Sequence, residues 1–156
     1  MPLLFCTATE GENAMIRELR RDDLEAVMGI WLEANIQAHD FISPQYWRDH
    51  YTAVREMLPR AEVYVWESEG AGRVEGFVGL TGSYIAGIFV RREARSRGIG
   101  KQLLDHVKSI RPELTLAVYQ KNTRAAGFYQ REQFTVQSGG TDDDTGEREY
   151  SMVWSR

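Results

Sequence analysis

Eleven consecutive residues, Arg91-Arg92-Glu93-Ala94-Arg95-Ser96-Arg97-Gly98-Ile99-Gly100-Lys101, concentrate five bases and one acid in a chain that is otherwise acidic. An apolar run, Tyr84–Val90, leads into them, and Leu103, Leu104, Val107 and Ile110 follow at helical spacing. The loop therefore joins a strand to a helix. The first N–H groups of a helix have no internal acceptor and carry the positive end of its dipole. Gly98 and Gly100 let a ligand approach the backbone, and arginine supplies paired donors that match phosphate oxygens. Residues of these types at this spacing form a cradle for a pyrophosphate.

Two familiar phosphate loops do not fit. A Walker A loop needs glycine where this chain has Arg95 and Ser or Thr where it has Gln102. A dinucleotide loop needs a third glycine at Leu103 and an acidic ribose partner, which is not evident.

The elements that must hold the loop follow from periodicity. Met15–Leu19 alternates as a first strand; Leu24, Val27, Met28, Trp31, Leu32 and Ile36 then mark a helix that Asp22 and Asp23 help to start. Ser43-Pro44 starts a second helix with its stripe on Trp47, Tyr51, Val54 and Leu58. Glu62–Glu67 and Val74–Leu80 read as strands around a turn at Glu69–Arg73. Tyr84–Val90 reads as a strand covered on both faces. Leu114–Tyr119 is another strand, Asn122–Gln130 a short helix, and Phe134–Gln137 with Glu149–Trp154 a closing hairpin. The order βαα-βββ-α-β-α-ββ predicts an α/β fold, a mixed sheet with helices on both faces.

Composition narrows the function. With 156 residues, 42% hydrophobic and 27% charged, the chain suits one globular domain over residues 15–156, behind a loose extension at residues 1–14. A net charge of −4 argues against nucleic acid as partner, and no apolar run is long enough for a membrane. Cys6 is the sole cysteine, and His39, His50 and His106 lack metalloprotease spacing, so no metal is expected. No signal-like leader is visible, so a cytoplasmic address is expected, as a monomer or homodimer.

Arg95-x-x-Gly98-x-Gly100 matches the Q/R-x-x-G-x-G/A signature of the GNAT superfamily of N-acetyltransferases. A second family signature follows at the expected distance, Asn122-x-x-Ala125-x-x-Phe128-Tyr129 closing on Phe134. The resemblance covers Met15 to Trp154. The wording Ala38-His39-Asp40-Phe41-Ile42 and Ala117-Val118-Tyr119-Gln120 is similar to small bacterial members of the family. One departure is Gln133, where the family often has glycine.

The resemblance implies a mostly antiparallel sheet whose central strands, Tyr84–Val90 and Leu114–Tyr119, splay apart. It implies acetyl-CoA as co-substrate, with the pantetheine arm in the gap beside Ile88, Phe89 and Val90. The pyrophosphate would lie on Arg95, Ser96, Arg97, Gly98, Ile99, Gly100 and Lys101, and Asn122 and Phe128 would border the arm. Tyr129 would sit near the sulfur, where a phenol can protonate a departing thiolate. His39, Asp40 and Tyr84 would face the acceptor amine, with an acidic run, Asp142–Asp144, at the rim as a guide for a basic acceptor. No residue stands out as the base. Two other readings stay open here: a different acyl donor or a hydroxyl acceptor, and a non-catalytic acyl-CoA sensor.

Overall fold

The computed structural model describes residues 14–70 and 72–156. Strand β1 (Ala14–Glu18) begins one residue before the expected domain start, and Ala14 is buried in it. The expectation of a loose extension otherwise falls on residues 1–13, outside the described residues. There follow α1 (Leu24–Ala38), α2 (Pro44–Met57), β2 (Glu62–Ser68), β3 (Arg73–Thr81), β4 (Tyr84–Val90), α3 (Ile99–Ile110), β5 (Glu113–Tyr119), α4 (Thr123–Arg131), β6 (Thr135–Thr141) and β7 (Arg148–Ser155).

Local chemistry explains where the helices start. Ser43 caps α2 by accepting the N–H of Gln45, and Pro44 fits the first turn because its missing N–H has no partner there anyway. Asp23 does more than favour a helix start. Its carboxylate accepts the Arg20 N–H at 2.6 Å and two Arg17 N–H groups at 2.8 and 3.0 Å, while Arg17 also donates to Glu67 at 2.9 Å. The start of α1 is thereby tied to β1 and β2, and the Arg17 guanidinium holds the Asp23 carboxyl below the usual range.

The strands form one sheet in the order β1-β2-β3-β4-β5-β7-β6, antiparallel except where β4 meets β5. Each face has its own core. On one side α1 and α2 bury Val27, Met28, Trp31 and Trp47 against Val65 and Phe77 of the sheet. On the other, Leu103, Leu104 and Val107 of α3 and Tyr129 of α4 pack on Val78, Ile85, Leu116 and Met152. Each fully buried leucine there contributes about 1.5–3 kcal/mol. A Cβ at Gly76 would lie 3.0 Å from both the Ile99 side chain and the Phe89 carbonyl, so glycine at that point lets α3 sit directly on β3. Trp66 reinforces the placement by donating its indole N–H to the side-chain Oε1 of Gln102 at 2.8 Å.

Two expectations need correction. The β4 strand is not covered on both faces: Ile85 is buried, Tyr84 and Ala86 are exposed, and Gly87–Val90 are half-buried. Its outer half borders a cavity instead of the core. The final hairpin is also longer than its hydrophobic pattern, since β6 runs on through Ser138-Gly139-Gly140-Thr141, where backbone pairing with β7 continues without apolar side chains. At the end of α4, Gln133 adopts φ 73°, the left-handed conformation that glycine takes without steric cost. The departure from glycine therefore preserves the turn, and Phe134 donates back to the Tyr129 carbonyl at 2.9 Å.

Burial lowers the proton affinity of two histidines, His39 and His106. The unfolded chain binds protons at both below about pH 6.5, and the folded chain resists doing so. Stability therefore falls as pH drops from 7 toward 5.5. The urea midpoint is expected to decrease over that interval, and to decrease less in His106→Phe, which keeps a ring beside Tyr64. A midpoint that does not change with pH rejects this account.

Candidate active site

Strands β4 and β5 pair only at Tyr84–Thr115 and Ile85–Leu116, then diverge. Beyond Ile85 the β5-facing edge of β4 is open, while its other edge stays bonded to β3 as far as Val90. The opening leads into a cavity of about 660 Å³ between the end of α1, the outer half of β4, the start of α3 and the first turns of α4. Ile88, Phe89 and Val90 line it, with backbone groups free toward β5. An open groove of about 720 Å³ lies elsewhere, among Glu18, Arg20, Arg21, Arg55 and Glu56. It has neither diverging strands nor a glycine loop.

The loop at the head of α3 is built as its sequence requires. Ala94 is buried and anchors it, and the chain then passes through left-handed conformations at Ser96 (φ 65°) and Gly98 (φ 80°). For serine this costs about 1–2 kcal/mol, a strain that the anchored turn maintains. The first intrahelical bond runs from Gln102 to the Gly98 carbonyl, so the N–H groups of Ile99, Gly100 and Lys101 have no helical acceptor. The Ile99 side chain is buried, which leaves its backbone as the part able to meet a ligand.

Arg95 lines the cavity and reaches Gln37 of α1 at 3.2 Å. Burial, then the charges of Arg124 and Arg92, lower its proton affinity. Glu33 and Glu93 offset this only in part, and a positive cluster of this kind is relieved by an anion, so these residues fit a pyrophosphate. Ser96, Gly98, Gly100 and Lys101 line the same cavity. The Lys101 ammonium is already shared with Glu132 and Asp105, each at 3.1 Å. Arg97 is exposed and outside the lining, and Arg91 turns away to the Val74 carbonyl on β3.

Asn122 caps α4 by accepting the Ala125 N–H at 3.2 Å, and its amide nitrogen lies 3.2 Å from His39 Nε2. His39 Nδ1 lies 3.0 Å from the Asn35 carbonyl. A carbonyl only accepts, so Nδ1 carries the proton and Nε2 accepts from Asn122. His39 also stacks on Trp47 and meets Phe41 and Tyr119 edge-on. With both nitrogens engaged, it braces Asn122 and is not free to move a proton. Asp40 is exposed at the cavity rim.

Tyr129 is buried between Phe128 and Phe134, with ring centroids at 5.2 and 5.5 Å, and both Tyr129 and Phe128 line the cavity. Burial, with a smaller contribution from Tyr84, pushes its phenol well above the usual range, so it stays protonated. Tyr84 lies outside the cavity lining and is 43% exposed at the closed end of the divergence. Burial first, then Glu149, raise its proton affinity, and the Ala117 N–H opposes them.

Beside Tyr84 lies an acidic wall. Tyr119 donates to Asp142, and Tyr46 donates to Asp144 at 3.5 Å. Burial tends to raise the Asp142 carboxyl, but the Tyr119 hydroxyl and the N–H groups of Asp144 and Thr145 outweigh it and hold it low. Gln37, Arg124 and Glu149 were not singled out from sequence. Arg124 was the most accessible of these, two residues into the Asn122 motif; nothing local distinguishes Gln37 or Glu149.

A GNAT acetyltransferase domain model matches residues 59–136. The chain is 40% identical to the peptidyl-lysine N-acetyltransferase YiaC of Escherichia coli (strain K12) over 142 residues, 90% of this chain and 96% of that one. It is 34% identical to the peptidyl-lysine N-acetyltransferase YjaB of the same strain over 131 residues, 84% and 88% of the two chains. The solution structure of apo-form YjaB from Escherichia coli superposes with a TM-score of 0.80 at 29% identity, covering 90% of this chain and 97% of that one. The chain belongs to the GNAT family. It is an N-acetyltransferase that takes its acetyl group from acetyl-CoA.

Proposed function

We propose that the acceptor is a lysine side chain of a protein, presented in a basic context, and that the cavity residues divide the work as their positions indicate. The observation that carries this reading is the acidic wall on the α1–α2 side of the diverging strands, where Asp142 meets Tyr119, Asp144 meets Tyr46 of α2, and Asp143 lies on the turn between them. Carboxylates at a mouth raise the local concentration of cations, and salt weakens the effect. The relatives' activity on peptidyl-lysine supports the same choice.

In this reading the amides of Ile99–Lys101, with Arg95 and Arg124, hold the pyrophosphate. The open edge of β4 takes the pantetheine, and Asn122, braced by His39, borders it. Bound acetyl-CoA supplies an activated thioester carbonyl. Tyr129 donates its proton to the sulfur as the C–S bond breaks, and retention of that buried phenol favours an enzyme over a sensor. A cytoplasmic address accompanies this reading, because acetyl-CoA is an intracellular metabolite.

The acidic wall is testable at two positions. Asp142 holds the turn through Tyr119 and the Asp144 N–H, so it is left in place. Asp143→Asn combined with Asp144→Asn is expected to raise KM for a lysine peptide with basic flanks several-fold at low salt. The effect is expected to shrink at moderate salt, with acetyl-CoA affinity unchanged. Equal rates for matched peptides with acidic and basic flanks, without a salt response, reject a basic acceptor.

A further inference from the structure

A lysine amine has a pKa of about 10.4, so about one in two thousand is neutral at pH 7. Acetyl transfer to it needs a group that removes a proton. His39 is engaged on both nitrogens. Asp142 accepts from Tyr119, Asp144 from Tyr46, and Glu147 is paired with Lys121, while Asp143 is exposed on the turn. Glu149 differs. Among the described residues, no side-chain hydrogen bond or ion pair engages its carboxylate, although the residue is half-buried.

Its place in the sheet is informative. Glu149 of β7 lies directly opposite Tyr119 of β5 in the register, and residues so paired share a face. Tyr119 points to His39 and Phe41, so that face is the α1–α2 side. Tyr150 and Met152 of the same strand point the other way, into the core that contains Tyr129. The diverging strands thus have a buried phenol on one side and a free carboxylate on the other. Ile85 belongs to the core that contains Tyr129, so its neighbour Tyr84 faces the side of the sheet that carries Glu149.

We propose that Glu149 is the proton acceptor for the incoming ammonium, an assignment that rests on the acetylation of an amine described above. One ammonium N–H bond breaks and its proton goes to a Glu149 oxygen. The freed lone pair forms the C–N bond at the thioester carbon, the C–S bond breaks, and the electron pair leaves on sulfur. Tyr129 gives that sulfur its proton and regains one from the nitrogen, which sheds its second. Glu149 returns its proton to water, so one proton is released per turnover.

The groups facing Glu149 are Tyr84 from β4, Tyr119 from β5, and Asp142 and Asp143 from the β6–β7 turn; its neighbour Arg148 is directed to Thr141 on β6. Burial first, then Asp142 and Asp143, raise the Glu149 carboxyl, which suits a group that must hold a proton briefly.

The test is Glu149→Gln in the full chain, assayed with acetyl-CoA and a lysine peptide from pH 5 to 9. A fall in kcat/KM of about 10²-fold at pH 7 is expected, with loss of the acidic limb of the profile. Glu149→Asp should retain part of the rate, and a peptide whose acceptor amine has a lower pKa should suffer less. Coenzyme A affinity should stay at the wild-type value and the urea midpoint should not fall, since the carboxylate holds nothing in place and its charge is disfavoured by burial and by Asp142 and Asp143. Independently of turnover, the Glu149 carboxyl carbon, assigned by its loss in the Gln variant, should titrate by NMR at the midpoint of the wild-type acidic limb. Wild-type kcat/KM with the limb intact in Glu149→Gln overturns the assignment, as does a carboxyl that titrates elsewhere. Wild-type protein that acetylates no lysine peptide overturns the parent reading instead.

Discussion

Tyr129→Phe is expected to bind acetyl-CoA as the wild type does and to turn over about 10²-fold or more slowly, the range associated with loss of a positioned general acid. The substitution removes one oxygen and almost no volume. Packing against Phe128 and Phe134 depends on the ring, which remains, so the fold has no reason to change. The phenol is raised well above its usual range by burial, so the wild-type group stays protonated at every pH where the enzyme works. Its titration therefore does not shape the pH profile, and the loss should be uniform from pH 6 to 9. Steady-state kinetics across that range, with calorimetry for the co-substrate, make the measurement. Near-wild-type turnover would make Tyr129 a packing residue, with water protonating the thiolate.

Gly98→Asp is expected to abolish measurable binding of coenzyme A and acetyl-CoA alike. Two physical effects act together. Residue 98 has φ 80°, a conformation that side-chain-bearing residues adopt at a cost, and its N–H is among the first of α3. No heavy atom lies within 4 Å of a Cβ built there, so the side chain itself is accommodated and the protein should remain folded. The new carboxylate, however, stands where the helix terminus and Arg95 favour an anion, and it neutralises that field before a pyrophosphate arrives. Gly98→Ala separates the contributions: it keeps the conformational cost without the charge and should weaken binding much less. Calorimetry on both variants, with circular dichroism as the folding control, decides the matter. Unchanged affinity in Gly98→Asp would place the pyrophosphate elsewhere.

Much of the molecule was legible before any coordinates. The order of strands and helices follows from periodicity, because apolar residues at spacing 2 or 3.6 have one face to bury wherever the chain goes. The caps at Ser43 and Asn122 and the glycines of the cradle are equally local, and so are visible in a few residues. Misreadings arose where burial is not local. The apolar run of β4 resembled a strand covered on both faces, yet its outer half borders a cavity, because β5 diverges from it after two pairs of residues. The tail of β6 has no hydrophobic alternation and is held by backbone pairing to β7.

The candidate site divides in the same way. The cradle and the Asn122–Tyr129 helix are contiguous motifs, so the sequence by itself determined the cofactor class and pointed to the phenol proposed to serve it. In the chain alone His39 reads as a residue of the acceptor side. Only the fold brings Asn35 and Asn122 to its two nitrogens and makes it a brace. Glu149 is one acid among several near the end of the chain. What distinguishes it is that β7 inserts between β5 and β6 in the sheet, setting it half-buried opposite Tyr119, while Asp142, Asp144 and Glu147 take hydroxyl or lysine partners and Asp143 is exposed. Strand order and register are decided by contacts between residues dozens of positions apart. The acceptor side of the site, assembled from such contacts, was therefore left to the tertiary structure to decide.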